Sequence, residues 1–156
     1  TLRTDGVDVE VTDTTETLKA NTDTTTTDDE GVFEIEFDVT AFGTDLYIDD
    51  TADQNTVEND FGVNYRVVNS SGSVIASTTA AGVATLDAET DLESGRFKVD
   101  EGETVTFTLT VEFDPAATGS YRLELYSVNW NDTNAAADTQ QTLSPSTDYD
   151  TALLTI

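Results

Sequence analysis

Hydrophobic and polar residues alternate one by one along several stretches of this chain, and the three-to-four spacing of an amphipathic helix is almost absent. Val7, Val9 and Val11 alternate with Asp8 and Glu10, which predicts a half-buried strand. Residues 12–30 are rich in Thr and Asp and read as a long loop or a polar edge strand. The sharpest alternation follows. Phe33, Ile35, Phe37 and Val39 are separated by Glu34, Glu36 and Asp38, so one face is core and the other a ladder of carboxylates. Leu46-Tyr47-Ile48 resumes as a short strand after the break at Ala41-Phe42-Gly43-Thr44.

Residues 49–55 read as a polar loop, and residues 61–68 as a strand that ends in the turn Asn69-Ser70-Ser71-Gly72. Residues 73–78 are expected to pair back as a hairpin. Residues 79–94 carry little pattern. Phe97 and Val99 mark a short strand before the turn Asp100-Glu101-Gly102-Glu103. The longest strand holds Val105, Phe107, Leu109, Val111 and Phe113, and Asp114-Pro115 stops it because proline cannot donate to a ladder. Tyr121, Leu123 and Leu125 begin another strand that continues towards Val128 and Trp130. Residues 131–148 read as a polar loop with room for one helical turn at 135–138, and residues 151–156 close the chain as an apolar strand. Seven to nine short strands separated by polar turns predict an all-β, antiparallel, Ig-like sandwich over residues 1–156 as a single domain, with a jelly roll as the alternative.

Composition sharpens the picture. Apolar residues make up 37% of the 156, and Thr supplies about a fifth, so the chain is polar yet rich in a β-branched residue that fits a pleated surface. Thirty-two acidic residues against 6 basic give a net charge of −26. That sign excludes nucleic-acid partners, which need a basic footprint, and anionic membrane surfaces. The acidity is expected to serve solubility in high salt, binding of divalent cations, or repulsion from other acidic surface polymers. There is no Cys, no His and no Met. Thiol chemistry, disulfides, ordinary zinc sites and the commonest general base are thereby absent. No segment reaches the roughly 18 apolar residues of a membrane-spanning helix. A start at Thr1-Leu2-Arg3 is expected of a mature product or an excised domain.

The run from Phe97 to Val111, FKVDEGETVTFTLTV, resembles a stretch of bacterial and archaeal cell-surface Ig-like domains. Asp114-Pro115-Ala116-Ala117 and Gly119-Ser120-Tyr121-Arg122-Leu123 are similar to their next hairpin, and Phe37-Asp38-Val39-Thr40-Ala41-Phe42-Gly43 with Leu46-Tyr47-Ile48 resembles domains in surface proteins of small-genome bacteria. The resemblance covers about half the chain and implies an extracellular β-sandwich in a filament, a surface array or an adhesin.

Candidate chemistry is sparse. Paired-carboxylate glycan hydrolysis needs two acids in a cleft with one held protonated, and the acids here fall on outward strand phases or in turns, so no enzyme is expected. Calcium is the cofactor worth weighing, because Asp49, Asp50, Asp53 and Asn55 crowd oxygen ligands into one loop; Asp28-Asp29-Glu30 and Asp100, Glu101 and Glu103 are lesser candidates. The same residues are also ordinary turn formers. Asn69 and Asn131 head glycosylation triplets, and Trp130 with Tyr126 and Tyr121 could stack a sugar, though packing in the core or at a sheet edge is the expected role, because lone aromatics in sandwiches usually pack. The two ends remain. Leu2, Val7, Val9 and Val11 at one end and Leu153, Leu154 and Ile156 at the other could exchange between copies of the chain and build a filament, or could pair within one sandwich. The expected role is a structural subunit of an extracellular filament or array, with an adhesin or spacer module as the alternative.

Overall fold

The computed structural model describes residues 6–20, 29–54, 57, 60–75 and 83–156. Among them run eleven strands: β1 (Gly6–Lys19), β2 (Glu30–Phe42), β3 (Leu46–Asp49), β4 (Ala52–Asp53), β5 (Val63–Asn69), β6 (Ala84–Ala88), β7 (Arg96–Val99), β8 (Thr104–Phe113), β9 (Ser120–Trp130), β10 (Thr139–Thr142) and β11 (Leu154–Thr155). The first sheet has the order β1-β2-β8-β6, and the second the order β10-β9-β5-β4, with β11 also on β9. Read as A-B-E-D against G-F-C, with β10 and β11 sharing the place of strand G, this is the immunoglobulin constant-type order rather than a jelly roll. Pairing is antiparallel throughout except for the two-residue match of β4 with β5. A small ribbon of β3 and β7 closes the end where β2 finishes and β8 begins.

The alternation of β2 is realised residue by residue. Phe33, Ile35, Phe37, Val39 and Ala41 are fully buried, while the residues between them stay half-exposed. Register then places Phe37 opposite Phe107 on β8, the rings stacking at 5.6 Å, and Phe97 meets Phe107 edge-on at the same distance. The second sheet contributes Val63, Tyr65, Val67, Leu123, Leu125 and Val128 to the same core. Truncating a ring such as Phe107 to Ala would cost about 3–5 kcal/mol in a core packed this closely.

Tyr121, at the start of β9, donates its hydroxyl to the carbonyl of Ala117 at 2.7 Å. This is the tyrosine corner of immunoglobulin-like folds. Gly119 makes room for it, since a Cβ there would lie 3.1 Å from the phenol oxygen.

Of the two readings of the polar stretch after Val11, the edge strand holds as far as Lys19, with a bulge between Val11 and Asp13. Other sequence expectations need correcting. Eleven strands replace seven to nine because β4, β6 and β10 are too short to show a period, while the apolar strand expected over 151–156 narrows to β11. Residues 135–138 form no helical turn; the 3-10 turn lies instead at Ser146–Asp148. The Asn69 turn does fold back, with Ile75 N–H donating to the Val67 carbonyl at 2.9 Å, while residues 76–78 lie outside the described residues.

The two end segments occupy opposite poles. Gly6 pairs with Phe42, whereas Ile156 sits beside Gly31, at the other end of β2. Ile156 exchanges two backbone hydrogen bonds with Gly119, at 2.8 and 2.9 Å. Gly31 is a notch for it: a Cβ there would fall 2.5 Å from the Ile156 δ-methyl and 3.2 Å from Leu154.

Candidate functional faces

A sandwich of this kind offers its two outer faces, and here they are chemically unlike. On the first sheet, register lines up Glu10 with Asp38, Asp13 with Glu36 and Thr15 with Glu34. On the other side of β2, Thr106, Thr108 and Thr110 of β8 stand opposite Asp38, Glu36 and Glu34. Hydroxyls donate into the carboxylates: Thr106 to Asp38 at 2.6 Å, Thr12 to Glu36 at 3.0 Å and Thr110 to Glu34 at 3.4 Å. Among the described residues the cation on these strands is Lys19, at the far corner, 3.1 Å from Glu30 and 3.5 Å from Glu112. This face is a solvated lattice of acids and threonines.

The outer face of the second sheet is built around buried polar groups. The core phase of β5 and β9 carries Val63, Tyr65, Val67, Leu123 and Leu125, so Asn64, Arg66, Arg122 and Glu124 point the other way. The Glu124 side chain, only 5% exposed, takes Arg66 Nη2 on one oxygen at 2.8 Å and Arg122 Nη2 on the other at 3.2 Å. Arg122 Nε also lies 3.1 Å from Asp150. The Arg66 guanidinium covers the Tyr126 ring at 4.7 Å. Burial raises the Asp150 carboxyl above its ordinary range, against the pull of Arg122 and with help from the charges of Glu124 and Asp148. Next to this charged row lies an amide cluster. The Asn64 side-chain carbonyl accepts from Ser127 at 3.0 Å, Asn129 at 2.7 Å and Gln140 at 3.1 Å, and Asn129 donates to the Phe61 carbonyl at 2.7 Å. Asn64, Ser127 and Asn129 are fully buried. Arg66, Arg122, Glu124 and Asp150 are joined by ion pairs into one row, although among the described residues Arg66 Nε and Arg122 Nε are buried without a hydrogen bond of good geometry.

The residues singled out from sequence are scattered by the fold. Asp49 is drawn to Arg96, 2.8 Å from its Nε, while Asp50 is exposed, Asp53 lies on β4, and Asn55 falls outside the described residues. Of the lesser calcium candidates, Glu30 pairs with Lys19 and Asp100 with Lys98 at 2.6 Å; Asp28 is outside the described residues. Among the described residues no three carboxylates gather closely enough to share a cation. Lys98 also meets Asp45 at 3.0 Å, and the Glu101 N–H followed by Lys98 holds the Asp45 carboxyl below its ordinary range.

Asn131 is buried, with its Nδ2 donating to Ala136 at 2.8 Å, so adding a glycan there would break that bond. The Asn69 side-chain oxygen accepts from Ser71 N–H at 3.1 Å, Ser71 Oγ at 2.7 Å and Ser73 N–H at 3.0 Å, clamping its own turn. Trp130 and Tyr121 pack against the core, on the opposite side of β9 from Tyr126, so the three rings form no common platform. Val7 and Val9 are buried core residues of β1, Val11 packs at their margin, and Leu153 is exposed; Leu2 lies outside the described residues.

Sequence reasoning missed the Arg66–Glu124–Arg122–Asp150 row. Its one local trace is Arg122-x-Glu124, two residues that share a strand face, in a chain with very few cations. Among the described residues no helix is long and apolar enough to cross a membrane.

No protein-family model matches the chain, and neither does any curated protein. Among solved structures it is similar to that of ycdA, a provisionally assigned lipoprotein of Bacillus subtilis, at 13% identity and a TM-score of 0.36. The match covers all of this chain and 39% of that one, and a likeness so loose carries no conclusion about fold or function.

Proposed function

We propose that the chain is a self-contained, non-catalytic Ig-like module of an extracellular surface protein, serving as a spacer or adhesive unit. One observation carries this reading over a strand-exchange filament: the described part of each end segment, from Gly6 at one end and up to Ile156 at the other, is paired inside the chain. β1 matches β2 over its whole length, from Gly6 to Lys19. At the other end, β11 pairs with β9 and Ile156 fills the notch at Gly31. A filament built by exchanging these segments would first have to open pairs that the single chain already closes. The acid and threonine face suits a surface that stays hydrated and does not stick to neighbouring acidic polymers.

Light scattering and electron microscopy on the purified chain test the proposal. A monomer across salt and calcium concentrations is expected. Long polymers that vanish when residues 151–156 are removed would overturn it in favour of the filament.

A further inference from the structure

We infer that this sandwich is arranged to resist stretching between Gly6 and Ile156, an inference that rests on its reading as a surface module. Gly6 and Ile156 stand at opposite ends of β2, beside Phe42 and Gly31. The intervening eleven residue steps span about 37 Å at ~3.4 Å per residue. β1 leads from the Gly6 pole towards the other. So does the segment from Tyr149 to Ile156, which is antiparallel to β9.

A pull that separates the poles therefore acts along both strands. Antiparallel hydrogen bonds lie across the strand direction, so such a pull shears many of them together instead of opening them in turn. On β1 the sheared ladder is the full match with β2. On the other segment it comprises Leu125 N–H to the Tyr149 carbonyl at 2.9 Å, Thr151 N–H to the Leu123 carbonyl at 2.9 Å, and the paired bonds of Ile156 with Gly119. Side chains add stops. Ile156 is keyed against Gly31, Val7 and Val9 are buried, and the Tyr149 hydroxyl donates to the Val9 carbonyl at 3.3 Å, joining the two sheared elements directly.

The absence of cysteine allows handles to be placed at will. Asp8, Phe42 and Thr155 are exposed. The double variant Asp8→Cys with Thr155→Cys pulls in shear, whereas Asp8→Cys with Phe42→Cys peels β1 from β2 pair by pair. Single-molecule stretching of both, after each is shown to be a folded monomer, should give a several-fold higher rupture force in the first geometry. Equal forces from folded monomers would overturn the tension-resisting arrangement and leave the surface-module reading intact. Polymers formed before any pulling would instead overturn that reading.

Discussion

The two outer faces of this sandwich solve opposite problems with the same strand geometry. On the first sheet, acids and threonines alternate with the core residues and remain half-exposed, so each carboxylate keeps contact with water. On the second, Asn64, Glu124, Ser127 and Asn129 are buried and depend on protein partners instead. A polar group that keeps its water is energetically cheap to alter, and one that has given it up is costly to leave unpaired. Stability should therefore respond very differently to similar substitutions on the two faces, although both read as polar in sequence.

The largest contrast is expected at Glu124. Replacing it with Gln leaves two arginines around a neutral group in a site that is itself nearly dry, at a cost of about 3 kcal/mol, whereas Glu36→Gln should stay within about 0.5 kcal/mol. Denaturant unfolding of the two variants measures the difference, and equal effects would erase the distinction between the faces. Asn64→Ala comes next. It removes the buried acceptor that Ser127, Asn129 and Gln140 share and should cost about 2 kcal/mol by the same assay.

Salt probes the other face. Carboxylates on neighbouring strands stand about 5 Å apart, inside the ~10 Å screening length at 0.1 M salt but beyond the ~3 Å length at 1 M. Stability should therefore keep rising with sodium chloride towards molar concentrations. The triple variant Glu34→Gln, Glu36→Gln, Asp38→Asn should flatten that rise, and an unchanged slope would mean the lattice is not its source.

The smallest effects concern pH, and they differ in sign. Asp150 is held above its ordinary range, so the native state binds that proton more tightly than the unfolded chain does. Its contribution grows as pH falls through the native value and is absent above it, and Asp150→Asn should remove that gain on acidification. Asp45 is held below its range, so its contribution is present above the unfolded value and fades as pH falls through the native one. Asp45→Asn should make the acid limb of a stability profile less steep, and thermal melts across pH 3–6 would separate the two.

The first sheet was legible in the sequence because Phe33 to Val39 and Phe107 to Phe113 contrast sharply with the residues between them. The second was legible only on its inner phase. Asn64, Ser127 and Asn129 are residue types that usually mark exposed positions, and nothing local tells that they are enclosed. An extra residue on β9, Tyr126 between the partners of Asn64 and Tyr65, shifts the phase of β9 in mid-strand, and β10 reads Thr-Gln-Gln-Thr with no apolar residue to betray a strand. The calcium loop shows a second limit of local reading. Asp49, Asp50 and Asp53 are close in sequence, but β3 places Asp49 against Arg96 on β7, a partner that nothing near it in the chain announces.

The bond from Tyr149 to Val9 also bears on the order of folding. It joins residues 140 positions apart, and the seat at Gly31 waits for Ile156, so the edge between the two sheets closes only when residues 149–156 are present. Contacts so distant in sequence are slow to form. A chain emerging amino end first would pair β1 with β2 early yet hold the Gly31 notch empty and that edge uncovered until residues 149–156 arrived.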